Sequence, residues 1–408
     1  MSSPAPIPNI KTRILMISDT HGLTPSPSTE EELHYDSDGT LSSTSSNAYP
    51  PISSTSDLVF ISAFRHPLPS ADVAIHCGDL TKGSGLREYS ATFSLLASLD
   101  APLKIAIPGN HDMALDPVYW VNRYLRWEPE GELKQRRKGY PAVVRGMIAD
   151  ARKAGVRVLV EEGTYDFVLG NGARLKVYAS PWTPSYGGWP FQYHGRHVFG
   201  IEEGTDVAVT HGPPKGVLDK TLFGERAGCR YLLEAVARAR PRVHCFGHIH
   251  EGWGAKLQRW RVEGELVGMD EENSVVVEDL ETLEGTGTDS PKTRTEKVAR
   301  RNEWAERRAR IVDLCLPREG EGSSTDCSKL PRPFEHGKDT LFVNSAIVNI
   351  AYEPRHIPWL VDLELPPATD DDARRASATA AVLEQAANRA ESLAVAVSGG
   401  PSPADRWA

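Results

Sequence analysis

Short apolar runs recur along the chain, and each closes on a polar turn containing glycine. The first spans 12–18, holds Ile14-Leu15-Met16-Ile17, and closes on Asp19-Thr20-His21-Gly22. Runs at 71–77, 103–108, 205–209 and 241–246 repeat the pattern. They close on Gly78-Asp79, Gly109-Asn110-His111-Asp112, Thr210-His211-Gly212 and Gly247-His248-Ile249-His250. Brief apolar runs bounded by turn signals predict buried strands. Further strand patterns fall at 156–160, 165–169, 175–179, 339–347 and 358–365. Between strands, 86–99 sets Leu86, Tyr89, Phe93 and Leu96 at helical spacing, and 140–154 and 228–240 also read as helices. Strands alternating with helices predict a layered α/β body.

Three stretches break the pattern. Residues 23–56 are rich in Ser, Thr, Pro and acidic side chains, and 261–336 are heavily charged. Such windows carry too little apolar surface to offset ordering entropy. The expectation is one domain over 12–365, interrupted by low-complexity inserts at 23–56 and 261–336. A short helix at 301–312 is expected inside the second insert. The Ala-rich tail, 366–408, is a surface helix or disordered.

Composition narrows the function classes. Lys+Arg total 46 against 55 Asp+Glu, a net charge of −9. General nucleic-acid binding rests on clustered Lys and Arg, so it is not expected. An anionic substrate therefore needs a local positive source. No run approaches the ~18 apolar residues of a membrane span. Cys77, Cys229, Cys245, Cys315 and Cys327 show no paired spacing, and the first residues lack a secretory pattern. An intracellular, cytoplasmic setting is the expectation.

The turns after the five strands hold the chemistry. In α/β sheets ligands bind beyond the carboxyl ends of strands, so these side chains should share one crevice. Carboxylate, imidazole and amide oxygen together suit divalent Mn, Fe, Zn or Mg. Asp19-x-His21 and His248-x-His250 each offer two groups on one side of an extended segment. Glycines before Asp79, Asn110 and His248 remove a Cβ where the backbone turns beside a ligand.

Taken in this order, the five blocks resemble those of the calcineurin-like metallophosphoesterase superfamily. The strings from Thr210 to Gly216, Gly247 to Gly254 and Phe342 to Ala346, with Ser180-Pro181-Trp182, resemble its metallophosphoesterase-domain-containing subgroup. The resemblance covers most of the chain outside the two inserts and the tail. It implies a four-layer α/β/β/α sandwich of two mixed sheets and a site for two divalent ions, Mn2+ first, with Fe, Zn or Mg as alternatives. By that resemblance Asp19, His21, Asp79 and His250 hold one ion. Asp79, Asn110, His211 and His248 hold the second, with Asp79 shared. A bridging hydroxide would attack phosphorus, and Asn110 and His111 would contact the phosphate, His111 also serving as candidate acid.

The reaction implied is hydrolysis of a phosphoester, preferentially a diester such as a cyclic or other small nucleotide. A phosphomonoesterase with the same metals, and a nucleotide-binding scaffold with weak catalysis, are the alternatives. His248 is present, so the resemblance allows a complete dinuclear site. The Asp-Arg-Gly string of protein phosphatases is missing after Gly78-Asp79, which disfavours a phosphoprotein substrate.

Other residues have two readings each. Trp182, with Tyr186 and Trp189, either stacks on a substrate ring or packs a loop. His76 is a core or supporting histidine, and Asp112 either orients His111 or solvates its loop. His194 and His197 either wall a substrate pocket or pack a loop, His244 reads as packing, Lys215 either touches phosphate or faces solvent, and the basic run 134–138 is a solvated loop or a substrate or partner contact.

Overall fold

Strand β1, Ile10–Ile17, shows how the layers arise. Ile14 and Met16 enter a core shared by two sheets, whereas Leu15 and Ile17 enter one shared with helices. Side chains alternate across a strand, so a run that is apolar throughout is covered on both faces. The computed structural model describes residues 8–26, 64–263, 266–280, 282, 290–315, 330 and 332–397.

In chain order, the first strands after β1 are β2 Val73–His76, β3 Leu103–Ala106, β4 Val156–Val158, β5 Gly163–Val168 and β6 Arg174–Ser180. Next come β7 Thr183–Pro184, β8 Gln192–Tyr193, β9 Val207–Thr210, β10 Val243–Phe246, β11 Gly254–Glu263 and β12 Leu266–Asp279. The last are β13 Arg310–Asp313, β14 Asp339–Asn344 and β15 Trp359–Leu365. The helices are α1 Leu86–Ser98, α2 Pro117–Trp120, α3 Glu132–Lys153, α4 Arg230–Ala239, α5 Pro291–Arg307 and α6 Asp370–Val397.

Among the described residues one sheet runs β13-β15-β1-β2-β3-β4 and a second runs β12-β11-β14-β10-β9-β6-β5. Both mix parallel and antiparallel pairs. On the outer face of the first sheet, Tyr89, Phe93 and Leu96 of α1 pack with Val144 and Ala151 of α3. On the outer face of the second, Leu232, Ala235 and Val236 of α4 meet Tyr178, Phe246 and Phe342. The result is the expected α/β/β/α sandwich. Each fully buried Leu, Ile, Val or Phe contributes about 1.5–3 kcal/mol, and the sheet-to-sheet core is the largest of the three buried clusters.

The parallel strands set the place of chemistry. β1, β2 and β3 run together in one sheet, and β9, β10 and β14 run together in the other. Their carboxyl ends meet at one edge, where Ser18 bridges to Ala346 and the Ile347 N–H donates to the Ser18 carbonyl at 2.9 Å.

The segment 261–336 differs from expectation. It completes β11 and contributes β12 to the second sheet and β13 to the first. Its helix is α5, and 310–313, expected to close a helix, is strand. Trp304, Ala305, Val312 and Leu314 join the inter-sheet core. These elements leave little trace in the sequence because β12 is a polar edge strand whose pairing with β11 shifts register twice, so no clean alternation survives. The basic run 134–138 also differs: it lies on α3, where Lys134 pairs with Glu130 at 2.8 Å and Arg136 with Glu132 at 2.5 Å. Of the tail's two readings, helix holds for 370–397. The insert expected at 23–56 lies outside the described residues from 27 onward.

Candidate metal centre

The expected ligands come together in two groups. Asp19, His21 and His250 form one, and Asp79, His211 and His248 the other, with ligand atoms in each within 4.8 Å of one another. A third overlapping group joins His21, Asp79 and His111, so Asp79 faces both halves. Asn110 belongs to the second half, its Oδ1 lying 2.8 Å from His211 Nε2.

The backbone is bent to achieve this. Asp19 (φ 55°), His21 (φ 50°), Asp79 (φ 54°) and His248 (φ 70°) all adopt the left-handed region. Each such residue costs about 1–3 kcal/mol, and the cost persists only where surrounding structure enforces it. Two glycines permit the close approach: a Cβ at Gly247 would overlap Asp19 Oδ2, and one at Gly109 would overlap Asp79 Oδ1. Asp112 is the staple. Its carboxylate accepts from the N–H groups of Leu80 and Thr81 at 3.0 Å each and from Gly109 at 2.8 Å, tying the loop after β2 to the loop after β3. It thus fixes both loops, a role neither sequence reading gave it.

Hydrogen bonds fix the imidazole tautomers. His21 Nδ1 bonds the Thr81 carbonyl at 3.1 Å, His211 Nδ1 the Cys77 carbonyl at 3.0 Å, and His250 Nδ1 the Asn349 carbonyl at 3.1 Å. A carbonyl only accepts, so each Nδ1 carries the proton; the Nε2 of His21 and of His211 then turns a lone pair inward, while that of His250 faces Asp19 Oδ1 at 3.5 Å. His21 Nε2 is buried with no hydrogen-bond partner. His211 Nε2 and Asn110 Oδ1 face one another as two acceptors. A cation in each half would satisfy these atoms, so the donor set fits divalent metal.

Electrostatics agree. Burial pushes His248 down to about 3 and His21 down to about 4, the latter against the pull of Asp79 and Asp19. Both are therefore neutral, ligand-competent imidazoles at pH 7. Burial would raise the Asp79 carboxyl, but His211, His111 and His21 outweigh it and hold the group below its usual range. Burial would likewise raise Asp19, and the hydrogen bond and charge of His250 hold it well below. Asp19 also accepts from the His248 N–H, at 3.0 Å through Oδ1 and 3.1 Å through Oδ2, locking the two halves together.

His111 stands at the mouth. Its N–H donates to Asp79 Oδ1 at 2.8 Å, and its Nδ1 bonds the Lys82 carbonyl at 2.7 Å. Its ring lies 4.9 Å from that of His21 and 4.9 Å from that of Trp189. Tyr186 packs on His248 at 5.4 Å. Trp182 lies one step back, packing on Phe191 and His197 while lining the cavity beside His248. Tyr352 was not foreseen: its ring sits 4.8 Å from His21, with Lys82 Nζ 4.3 Å from its centroid. Its only sequence signal is its place just after the strand end at Asn344.

His76, His197 and His244 are packing groups, whereas His194 is exposed. His76 bonds Thr20 Oγ1 at 2.9 Å, and His244 bonds Thr210 Oγ1 at 2.8 Å. His197 pairs with Glu162 at 2.7 Å, and His194 lies 3.5 Å from Ser185 Oγ in an exposed loop. Lys215 donates to the Arg226 carbonyl on an exposed turn.

Comparison with known proteins places these residues in context. The family model described as calcineurin-like phosphoesterase matches residues 12–252. The human and mouse proteins named metallophosphoesterase domain-containing protein 1 are each 35% identical over 199 residues, 46% of this chain and 56% of theirs. An Emericella nidulans protein named probable rhamnogalacturonate lyase C is 34% identical over 198 residues, 47% of this chain and 16% of that protein. The chain thus spans about half the length of its metallophosphoesterase relatives and a small part of the third.

Proposed function

The chain belongs to the calcineurin-like phosphoesterase family, and from that premise we propose that it is a phosphodiesterase acting on a cyclic or other small nucleotide with two divalent ions, manganese first among them. The observation that carries the reading is the pair of ligand groups turned toward the shared carboxylate of Asp79. Asp19, His21 and His250 would hold one ion, and Asn110, His211 and His248 the other. Two such ions supply Lewis-acid charge to a phosphoryl group and bring the pKa of a bound water toward neutrality.

The side chains around them do the rest. Asp79 keeps the two halves at fixed separation, and Asp112 holds its loop. His111, anchored through Nδ1 on the Lys82 carbonyl, directs Nε2 toward the phosphoryl group. From there it hands a proton to the departing oxygen. Trp189, Tyr186 and Tyr352 rim the site. Aromatic rings stack on a nucleobase and exclude water. A rim of this kind suits a singly charged diester better than a doubly charged monoester.

A cytoplasmic setting accords with the buried free thiols of Cys77, Cys229 and Cys245. No helix among the described residues is long and apolar enough to cross a membrane.

The test is metal analysis of the purified protein, then rates on an aryl phosphodiester and an aryl phosphomonoester with the metal found. Faster diester cleavage is expected. A monoester rate far above the diester rate replaces the reading with a phosphomonoesterase. Nucleotide binding with no hydrolysis replaces it with a binding protein.

A further inference from the structure

Two cavities open beside the metal ligands. One, of about 560 Å3, is lined by His250, Glu251, Arg301, Asn349, Glu353 and Arg355. The other, of about 390 Å3, is lined by His248, Trp182, Pro184, Tyr186, Pro213 and Leu232. Glu251 lines both. Each half of the metal centre therefore has its own side chamber, and the two differ in chemistry.

The chamber at His248 is apolar and aromatic, as a flat ring requires. The chamber at His250 combines the aliphatic Leu222, Leu280 and Ile350 with two guanidiniums and two carboxylates, whose charges offset. Its groups are held in place: Arg301 donates to the Arg355 carbonyl at 3.0 Å, and Glu353 accepts from Asn349 at 3.0 Å and Arg355 at 3.1 Å. Glu251 accepts from the Leu222 N–H at 2.7 Å. A second phosphate would meet Glu251 and Glu353. Hydroxyl groups both donate and accept, so a hydroxylated neutral group matches donors and acceptors together.

We propose that the chain cleaves a linear phosphodiester with two unlike arms, a flat aromatic group beside His248 and an uncharged sugar or polyol beside His250, with Arg301 selecting the second arm. The proposal rests on the phosphodiesterase reading above. A cyclic nucleotide ties both ester oxygens to one ribose and fills one chamber. The polar chamber is built largely from residues beyond the family match, which ends at 252, with Arg301 supplied by α5. Substrate choice would then be particular to this chain while the metal centre is shared.

Two measurements on the full-length, metal-loaded protein test this. The first compares kcat/KM for p-nitrophenyl hexosyl phosphate and p-nitrophenyl methyl phosphate. A preference of about tenfold or more for the hexosyl ester is expected, the scale of one well-placed charged hydrogen bond. Arg301→Ala should bring the ratio to within about twofold of one. Ile350→Trp, a change at a half-exposed rim position that narrows the chamber, should do the same. The second is calorimetric binding of hexose 1-phosphate against methyl phosphate, which needs no turnover. Equal binding of the two, or a preference untouched in both variants, overturns the inference. Selective binding without hydrolysis of any diester overturns the phosphodiesterase reading and leaves the chamber standing.

Discussion

The floor of the crevice and its outer wall make opposite use of the same sheets. The floor is a set of tight loops at strand ends, with Asp19, His21, Asp79 and His248 at positive φ and buried charges held close together. The wall, from β11 through α5 to β13, places Trp304, Ala305 and Val312 in the inter-sheet core. One region concentrates strain and charge, which destabilise a fold and serve chemistry. The other supplies burial. Floor substitutions should therefore remove activity while sparing stability, and substitutions at the buried residues of the wall the reverse.

Asp79→Asn is the largest test of the floor. Both ligand groups lose their shared carboxylate, so kcat/KM should fall on the order of 10⁴-fold, ~5.4 kcal/mol at 1.36 per decade. Elemental analysis should show both ions diminished, and the urea midpoint of the metal-free protein should move little. Full metal content would break the assignment of Asp79 to both halves.

Trp304→Ala tests the wall. The indole is 6% exposed and lies under the Arg310 guanidinium at 4.2 Å. Its removal should cost about 3–5 kcal/mol of unfolding free energy. Metal content should hold under conditions where the variant is folded. A variant that loses its metals while remaining folded would show the two regions to be coupled.

His111→Gln comes next. Turnover should drop about 10²-fold, the usual range for one positioned proton donor. Both ions should stay, because the Asp79 carboxylate that His111 meets through its N–H is intact. Loss of one ion per chain would instead make His111 a ligand, as its place beside His21 and Asp79 permits.

The same contrast explains what the sequence disclosed. The floor was legible because each candidate ligand follows an apolar strand and its chemistry is rare: Asp19, His21, Asp79, Asn110, His211, His248 and His250 all reach the crevice. The staple role of Asp112 was not, since four hydrogen bonds from three residues of two loops converge on it only in three dimensions. The wall was illegible for a different reason. α5 buries little beyond Trp304 and Ala305, and β12 is an interrupted edge strand, so neither shows the periodicity of a buried element. Tyr352 lies on a loop, where no periodicity exists to point it at His21.

The smallest expected effect marks where the floor ends. His244 lies four residues before His248, on β10, yet is fully buried against Phe246 and Phe342. Burial pushes its pKa from an ordinary 6.5 down to about 3. Between those values the unfolded chain binds the extra proton and the folded one does not. The contribution is fully present above about pH 6.5 and is lost progressively as pH falls toward about 3. At pH 5 the loss amounts to about 2 kcal/mol. His244→Gln is neutral at every pH and retains a partner for Thr210, so other titrating groups cancel in the comparison. Between pH 7.5 and pH 5, with chelator present, the wild-type protein should lose about 2 kcal/mol more stability to urea than the variant. Equal losses would mean that His244 is solvated in the folded state, and the histidines of β10 would then divide differently between packing and chemistry.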